Sequence, residues 1–208
     1  MSRRTLAART LALTALAVTL SGCITVFPKT KPAQLYRFGE MAAAESTPGT
    51  ATRVGVARMR GTFNAAAATD RIMTVTGTQV AYVAEARWAE PASLMFEEAM
   101  TRAFAASTGP ARLVGRGDNS RTAYALRLDV DRFEAAYDHG AKAAPEVRID
   151  AHLVLVKSDD RTVIRDEIVS SRARAADNRV GAIVSAFDTA TKDLMAKVVA
   201  ATDAGVGG

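Results

Sequence analysis

The sequence is poor in the residue types that most often carry covalent or metal chemistry. Among 208 residues there are one cysteine, two histidines and one tryptophan, and aromatic residues make up only 6%. A single cysteine excludes an intramolecular disulfide and a zinc site built on several cysteines. Neither His139 nor His152 has a second histidine or a cysteine at ligand spacing, so we expect no metal site.

The motifs of common enzyme classes are missing as well. The sequence contains no Gly-x-Ser-x-Gly elbow of serine hydrolases and no Gly-x-x-x-x-Gly-Lys phosphate loop. We therefore expect no enzymatic activity, no catalytic residues and no cofactor. Asp129 and Asp131 lie two residues apart and project from the same face of one predicted strand. They are the best candidates for a paired carboxylate site. Because Arg127 and Arg132 stand beside them, a solvated charged face is the simpler interpretation.

No apolar run is long enough to cross a bilayer, which takes about 20 residues. The longest such run, residues 11–20, follows Arg3, Arg4 and Arg9 and ends at Leu20-Ser21-Gly22-Cys23. A basic start, a short apolar segment and small residues at its exit are typical of a secretory signal peptide. The segment that ends at Cys23 also resembles the lipobox of bacterial lipoproteins.

The lipobox resemblance assigns a role to the lone cysteine. It implies that the chain is cut before Cys23, that the Cys23 thiol carries diacylglycerol, and that the new amine is acylated, as with palmitate. Several acyl chains would make the anchor effectively permanent. Ile24 follows, whereas enteric-type lipoproteins retained in the inner membrane carry Asp there, so we expect the outer membrane, facing the periplasm. The alternatives are an ordinary signal peptide with a chance cysteine, or a free reactive thiol.

The charge of the chain changes once this segment is removed. The whole sequence has 27 basic and 22 acidic residues, and residues 1–22 hold three arginines and no acid. The remaining chain therefore has 24 basic and 22 acidic residues, a net charge of +2. No basic stretch is interleaved with aromatic residues, so we expect no nucleic-acid partner.

We divide the chain into four parts. Residues 1–22 are the lipoprotein signal peptide, and residues 23–33 form a lipidated tether in which Pro28 and Pro32 favour an extended chain. Residues 34–201 form one domain, a length that suits a single core. The glycine-rich residues 202–208 are predicted to be a disordered tail.

Apolar periodicity predicts the elements of this domain. Alternation predicts strands at residues 35–38, 53–60, 71–75, 79–83, 112–114, 124–131, 147–155 and 162–173. Pro91 in a first turn and the terminator Gly109-Pro110 delimit a helix that ends near Ala106. An apolar stripe predicts a second helix after Asp177 or Asn178. The result is an α+β fold: a mostly antiparallel sheet with two amphipathic helices packed on one face.

The order of these pieces resembles a known family. A lipobox is followed by Leu35-Tyr36-Arg37-Phe38, by Asp70-Arg71-Ile72-Met73 and, most specifically, by Arg87-Trp88-Ala89-Glu90-Pro91 before a helix. This order resembles the auxiliary lipoproteins of ABC-type transporters that accompany MCE-type lipid transport systems, the paraquat-inducible protein C family. The resemblance spans about residues 34–201.

The resemblance implies a non-enzymatic docking component of a transenvelope lipid transporter. Its partners would be an MCE-family periplasmic protein together with its ABC permease and ATPase. Trp88 and Pro91 are family-type positions, and for both a structural and a partner-binding role stay open. A homo-oligomer is also open. The alternative is a structural or assembly lipoprotein of an outer-membrane or cell-wall complex, which gene neighbourhood would distinguish.

The lipobox gives a direct prediction for the mature protein. We expect its first residue to be Cys23, acylated on both the thiol and the amine, because the cysteine is unique and follows small residues. Mass spectrometry of the N-terminal peptide measures this. An unmodified Cys23, or cleavage elsewhere, would contradict the membrane anchor.

Overall fold

Eight strands and two helices follow one another in the part of the chain that the structure, a computed structural model, describes: residues 32–39, 53–115 and 120–207. The strands are β1 (Gln34–Tyr36), β2 (Val54–Arg58), β3 (Arg71–Thr76), β4 (Gln79–Trp88), β5 (Ala111–Val114), β6 (Tyr124–Ala136), β7 (Glu146–Lys157) and β8 (Val163–Arg174). The helices are α1 (Ala92–Ala106) and α2 (Val180–Val206). All of them lie in one unit, Ala33–Gly208.

Strand β6 is the centre of the sheet because both of its edges are paired. Along one edge it runs antiparallel to β7, and β7 in turn pairs with β8. Along the other edge, three successive parts of β6 pair with β2, with Phe63 through a bridge to Val130, and with β3. All three pairings are parallel. Strand β5 lies outside β2, whereas β4 and then β1 lie outside β3. The antiparallel pairings are the long ones, which confirms the predicted α+β class.

The connection after β2 follows β6 closely. The Met59 amide donates to the Leu126 carbonyl (2.8 Å), and the Val130 amide donates to the Thr62 carbonyl (2.8 Å). Between these bonds the chain passes the β6 backbone so closely that a Cβ on Gly61 would lie 1.9 Å from the Leu128 carbonyl oxygen. Only glycine fits this approach, since the obstacle is backbone.

Both helices cover the same face of the sheet, as predicted. Helix α2 packs on β7 and β8, and α1 packs beside α2. Pro91 is the N-cap of α1, and its carbonyl accepts from Leu94 (2.9 Å). The orphan amide of Ala92 in the first turn donates to the Thr69 carbonyl (2.9 Å), so the preceding loop satisfies a donor that the helix leaves free.

Helix α2 is longer than the sequence predicted. It continues through residues 202–206, where we expected a disordered tail to begin. Gly205 lies against β7, so closely that a Cβ there would be 2.5 Å from the Leu155 side chain, and Val206 is buried. Asp203 accepts a hydrogen bond from the Ala111 amide (2.9 Å). These contacts offset the poor helix propensity of glycine, about 1 kcal/mol relative to alanine.

The few aromatic residues are concentrated in one cluster around Phe133 of β6. Its ring centroid lies within 6.5 Å of five other rings: Phe38 (5.1 Å), Phe63 (5.5 Å), Trp88 (6.5 Å), Phe96 (6.2 Å) and Phe187 (4.9 Å). These five rings come from the segment just after β1, the segment after β2, the end of β4, helix α1 and helix α2. The cluster therefore joins the sheet to both helices.

The cluster predicts where stability is concentrated. We expect Phe133→Ala to lower the free energy of unfolding by about 3–5 kcal/mol, because it opens a cavity among rings that cannot all collapse into it. Denaturant unfolding of residues 33–208, followed by Trp88 fluorescence, measures this. The exposed Ile168→Ala is the control, with an expected change below about 0.5 kcal/mol. A loss below about 1 kcal/mol for Phe133→Ala would contradict the central role of this ring.

Candidate functional site

The two family-type positions lie close in sequence but have different surroundings. Trp88, the last residue of β4, is only 1% exposed. Its indole packs edge-on against Phe38 (4.9 Å between centroids) and Phe187 (5.2 Å). Pro91 is exposed at the start of α1. The Trp88 ring is thus part of the core, and Cys23 lies outside the described residues.

The segments that carried the family resemblance meet at one corner of the sheet. Tyr36 of β1 is the register partner of Trp88, and the Tyr36 carbonyl accepts from the Ala89 amide (2.8 Å). The Asp70 carbonyl accepts from the Trp88 amide (2.7 Å), while the Asp70 side chain forms an ion pair with Arg87 (2.9 Å). The motifs therefore hold β1, β3 and β4 together at the point where α1 begins.

The structure does not form a paired carboxylate site from Asp129 and Asp131. Asp129 accepts from the amide (2.8 Å) and the hydroxyl (3.0 Å) of Thr62 and forms an ion pair with Arg127 (2.9 Å). Burial opposes its ionisation, but these partners together outweigh burial and lower the pKa of Asp129. A bulge between Val130 and Arg132 leaves Asp131 without a partner in the β6–β7 register.

The two histidines belong to different parts of the domain. His139 lies in the exposed loop after β6, with its Nδ1 4.0 Å from an Asp138 oxygen. His152 lies on β7, where its Nε2 is 2.5 Å from Asp166 of β8. Within the described ranges, no group of three or more His, Cys, Asp or Glu residues is arranged to hold a metal ion.

The sheet face opposite the helices carries a network of ion pairs. Asp138 accepts three hydrogen bonds from arginines in this network: two from Arg174 (2.6 and 2.9 Å) and one from Arg148 (2.9 Å). Both arginines also contact Glu146. The hydrogen bonds from Arg174 are the main cause that holds the pKa of Asp138 far below its ordinary value.

A second group of ion pairs continues this face toward the middle of the sheet. Asp150 on β7 lies between Arg132 (2.9 Å) and Arg172 (2.6 Å). Burial raises the pKa of Glu134, although Arg132 and Arg148 favour its ionised form. Because acids and arginines alternate and neutralise one another, this face offers no excess positive charge to a polyanion.

Two long stretches of strand edge have no neighbouring strand within the described domain: the outer edge of β8, and the outer edge of β4 before Ala86, because β1 pairs only with the last three residues of β4. Strand β8, twelve residues long, pairs only with β7, so its other edge has no strand partner, although Lys197 of α2 donates to the Ser170 carbonyl (2.9 Å). Ile168 at the middle of β8 is 70% exposed and Val163 at its start is 55% exposed. Exposed edges of this kind are templates for pairing with another chain. Strand β1 at the opposite edge has only three residues.

A cavity of about 140 Å³ lies between α1 and the inner face of β6. Its apolar walls include Phe63, Phe96, Met100, Leu126, Leu128 and Val130, and the polar residues Arg58, Arg60, Thr62, Ser93 and Glu97 also line it. The segment after β2 closes one side of it, and an ion pair between Arg58 and Glu97 (3.0 Å) lies at its mouth. Nothing in the sequence pattern alone could have located this cavity, because its walls come from three separate stretches.

Comparison with known proteins decides the family. Residues 36–199 match the model of the ABC-type transport auxiliary lipoprotein component family. The chain belongs to this family. The match covers every described element from the end of β1 to most of α2, and it agrees with the family that the order of motifs resembled. No curated protein sequence matches the chain.

Solved structures share the fold of this auxiliary lipoprotein. A Xanthomonas campestris protein of family DUF330 is 20% identical, with a TM-score of 0.70, over 84% of this chain and 97% of that one. An uncharacterized protein is 11% identical, with a TM-score of 0.64, over 83% and 99%. A Chlamydia trachomatis hypothetical protein is 10% identical, with a TM-score of 0.54, over 74% and 98%. At these identities the similarity concerns the fold alone.

Neither α1 nor α2, the helices of the described ranges, is long and apolar enough to cross a membrane.

The ion-pair network predicts a dependence of stability on pH. Because folded Asp138 keeps its charge below the ordinary carboxyl pKa of 3.8, acidification protonates the unfolded chain first and weakens the folded state. Asp138→Asn should therefore be less stable than the wild type above about pH 5, and the difference should shrink as the pH falls below 3.8. Denaturant unfolding across this pH range measures the difference.

The exposed Asp131→Asn is the matched control, with an expected change below about 0.5 kcal/mol at neutral pH. A difference between wild type and Asp138→Asn that stays constant from neutral to acidic pH would show that the network does not stabilise the fold through the charge of Asp138.

Proposed function

We propose that this protein is an outer-membrane-anchored periplasmic lipoprotein that docks the MCE-type protein of an ABC-driven lipid transport system. The family match over residues 36–199 is the observation that carries the proposal. The lipobox-like sequence ending at Cys23 supplies the anchor, and Ile24 after it favours the outer membrane. In this role the protein binds and positions its partner and catalyses no reaction.

The tether gives the domain reach from the membrane. Residues 23–33 separate the lipidated cysteine from β1, and an extended chain spans about 3.3 Å per residue. The domain could thus lie up to roughly 35 Å from the bilayer surface. Such a distance suits a partner that projects across the periplasm from the inner membrane, where the ABC permease and ATPase reside.

The free edge of β8 is the surface we assign to docking. An extended segment of the MCE-type protein would add a strand there, with main-chain hydrogen bonds supplying affinity. Specificity would come from alternate side chains, and Ile168 is the exposed apolar residue at the middle of this edge. The neighbouring charged residues Asp166 and Arg172 would limit pairing with unrelated strands.

Binding of the MCE-type protein tests the function and the surface together. Residues 33–208 hold every described element and the whole described core, so this unit is the reagent. We expect it to capture the periplasmic domain of an MCE-type protein encoded in the same operon. Ile168→Asp should weaken capture at least tenfold, because it places a charge in the new pair of strands.

Val80→Asp is the matched control, because Val80 is an exposed apolar residue of β4, 56% exposed against 70% for Ile168. Its binding should equal that of the wild type. If the wild-type unit binds the MCE-type domain no better than an unrelated periplasmic domain, the transporter role fails and the assembly-lipoprotein role replaces it. Capture that Ile168→Asp leaves intact would locate docking away from β8.

A further inference from the structure

The apolar cavity behind α1 has no role in docking at the β8 edge. Its walls combine Phe63 and Phe96, whose rings meet edge-on at 5.6 Å, with Met100 of α1 and the inner residues of β6. Close-packed cores contain few voids larger than a water molecule. The buried part of the lining is apolar and does not favour water, which needs two to four polar partners, whereas the polar residues Arg60, Thr62 and Glu97 are exposed.

The size of the cavity limits what it can hold. Its volume is about 140 Å³, and an apolar cavity of roughly 150 Å³ binds one benzene molecule, six carbon atoms. A whole lipid is far too large. The terminal carbons of one linear alkyl chain match both the volume and the apolar walls.

The mouth of the cavity fits the passage of a narrow chain. The ion pair between Arg58 and Glu97 separates the cavity from a shallow depression on the outer side of α1, which shares both residues and is also lined by Leu94. Leu94 is 45% exposed, and Met59 beside the mouth is 37% exposed. Apolar surface therefore continues from the cavity to the outside on both sides of the ion pair.

We propose that this cavity binds the terminal carbons, about six, of one acyl chain of a lipid, while the next methylenes lie over Met59 and Leu94. The head group stays in solvent. Arg58 and Glu97 carry opposite charges and Arg60 adds a second positive charge to the lining, so the site favours an anionic head group. The inference rests on the proposed function in one respect: lipid transport is what makes acyl chains available to the domain.

The alternative occupant of the cavity is a side chain of a partner protein, and the ion pair at the mouth disfavours it. A side chain entering from a protein would bring its backbone against the Arg58–Glu97 pair and displace it. A polymethylene chain needs only a narrow opening beside the pair. The structure thus favours a free alkyl chain, and competition by the MCE-type domain for the cavity is a result that would contradict the proposal.

Fluorescence titration of residues 33–208 with cis-parinaric acid tests the site. We expect saturable binding of one molecule, displaced by decanoic acid and more weakly by neutral monodecanoylglycerol. Shortening the fatty acid below six carbons should weaken displacement about three- to fourfold per methylene, because each lost group removes buried apolar surface. Absence of saturable binding by the wild-type unit would overturn the proposal.

Leu128→Trp is the decisive variant, since the larger ring fills the cavity from β6. It should weaken binding at least tenfold while circular dichroism shows an intact fold. Ile168→Trp adds the same ring on the surface and should bind like the wild type. A folded Leu128→Trp that binds as tightly as the wild type would contradict the cavity as the site.

A second measurement applies if Leu128→Trp does not fold. Methyl resonances of Met100, Leu126 and Leu128 in the wild-type unit should shift on addition of decanoic acid, whereas that of Ile168 should not. Shifts confined to the β8 edge, or none, would overturn the inference. The outcome is separable from the docking role: MCE capture without acyl binding rejects only the cavity, and acyl binding without MCE capture rejects only the docking partner.

Discussion

The packing of aromatic rings around Phe133 is the constraint on which the rest of the structure depends. Phe133 belongs to β6, whose edges are paired on both sides, and its ring meets rings from both helices. The same cluster holds Trp88, so it fixes the corner at which the family motifs meet. It also supplies Phe63 and Phe96, two walls of the apolar cavity. A sequence with few aromatic residues thus uses them to set both the fold and its internal space.

Around this core the domain separates its surfaces by chemistry. The helices seal one face of the sheet, and the opposite face is covered by a network of arginines and acids in which Asp138 and Asp150 each bind two guanidinium groups. The β8 edge is different, since it has no neighbouring strand and carries an exposed isoleucine. The proposed docking at this edge of the sheet would leave the ionic face intact.

Sequence reasoning succeeded where structure is local. Alternation located the strands and Pro91 and Gly109 delimited α1, since these signals depend on neighbouring residues alone. Sequence reasoning did not anticipate that β2 and β3 share one edge of β6, because parallel pairing joins residues far apart in the chain.

The end of α2 was predicted too early for a related reason. Gly205 is a poor helix former, and only the structure shows that it packs against Leu155. The bulge at Val130–Arg132 broke the alternation that grouped Asp129 with Asp131. The cavity could not be foreseen, and Cys23 lies outside the described residues, so its lipidation stays a prediction.

The central claim is that this family member is a docking lipoprotein whose contact with an MCE-type protein runs along β8. Photo-crosslinking in living cells, with benzoylphenylalanine at position 168 of the full lipidated chain, tests it most directly because it reports the partner actually present. The account predicts a crosslink to the MCE-type protein from position 168 and none from position 80. A crosslink from position 168 to an outer-membrane or cell-wall assembly protein instead would contradict it.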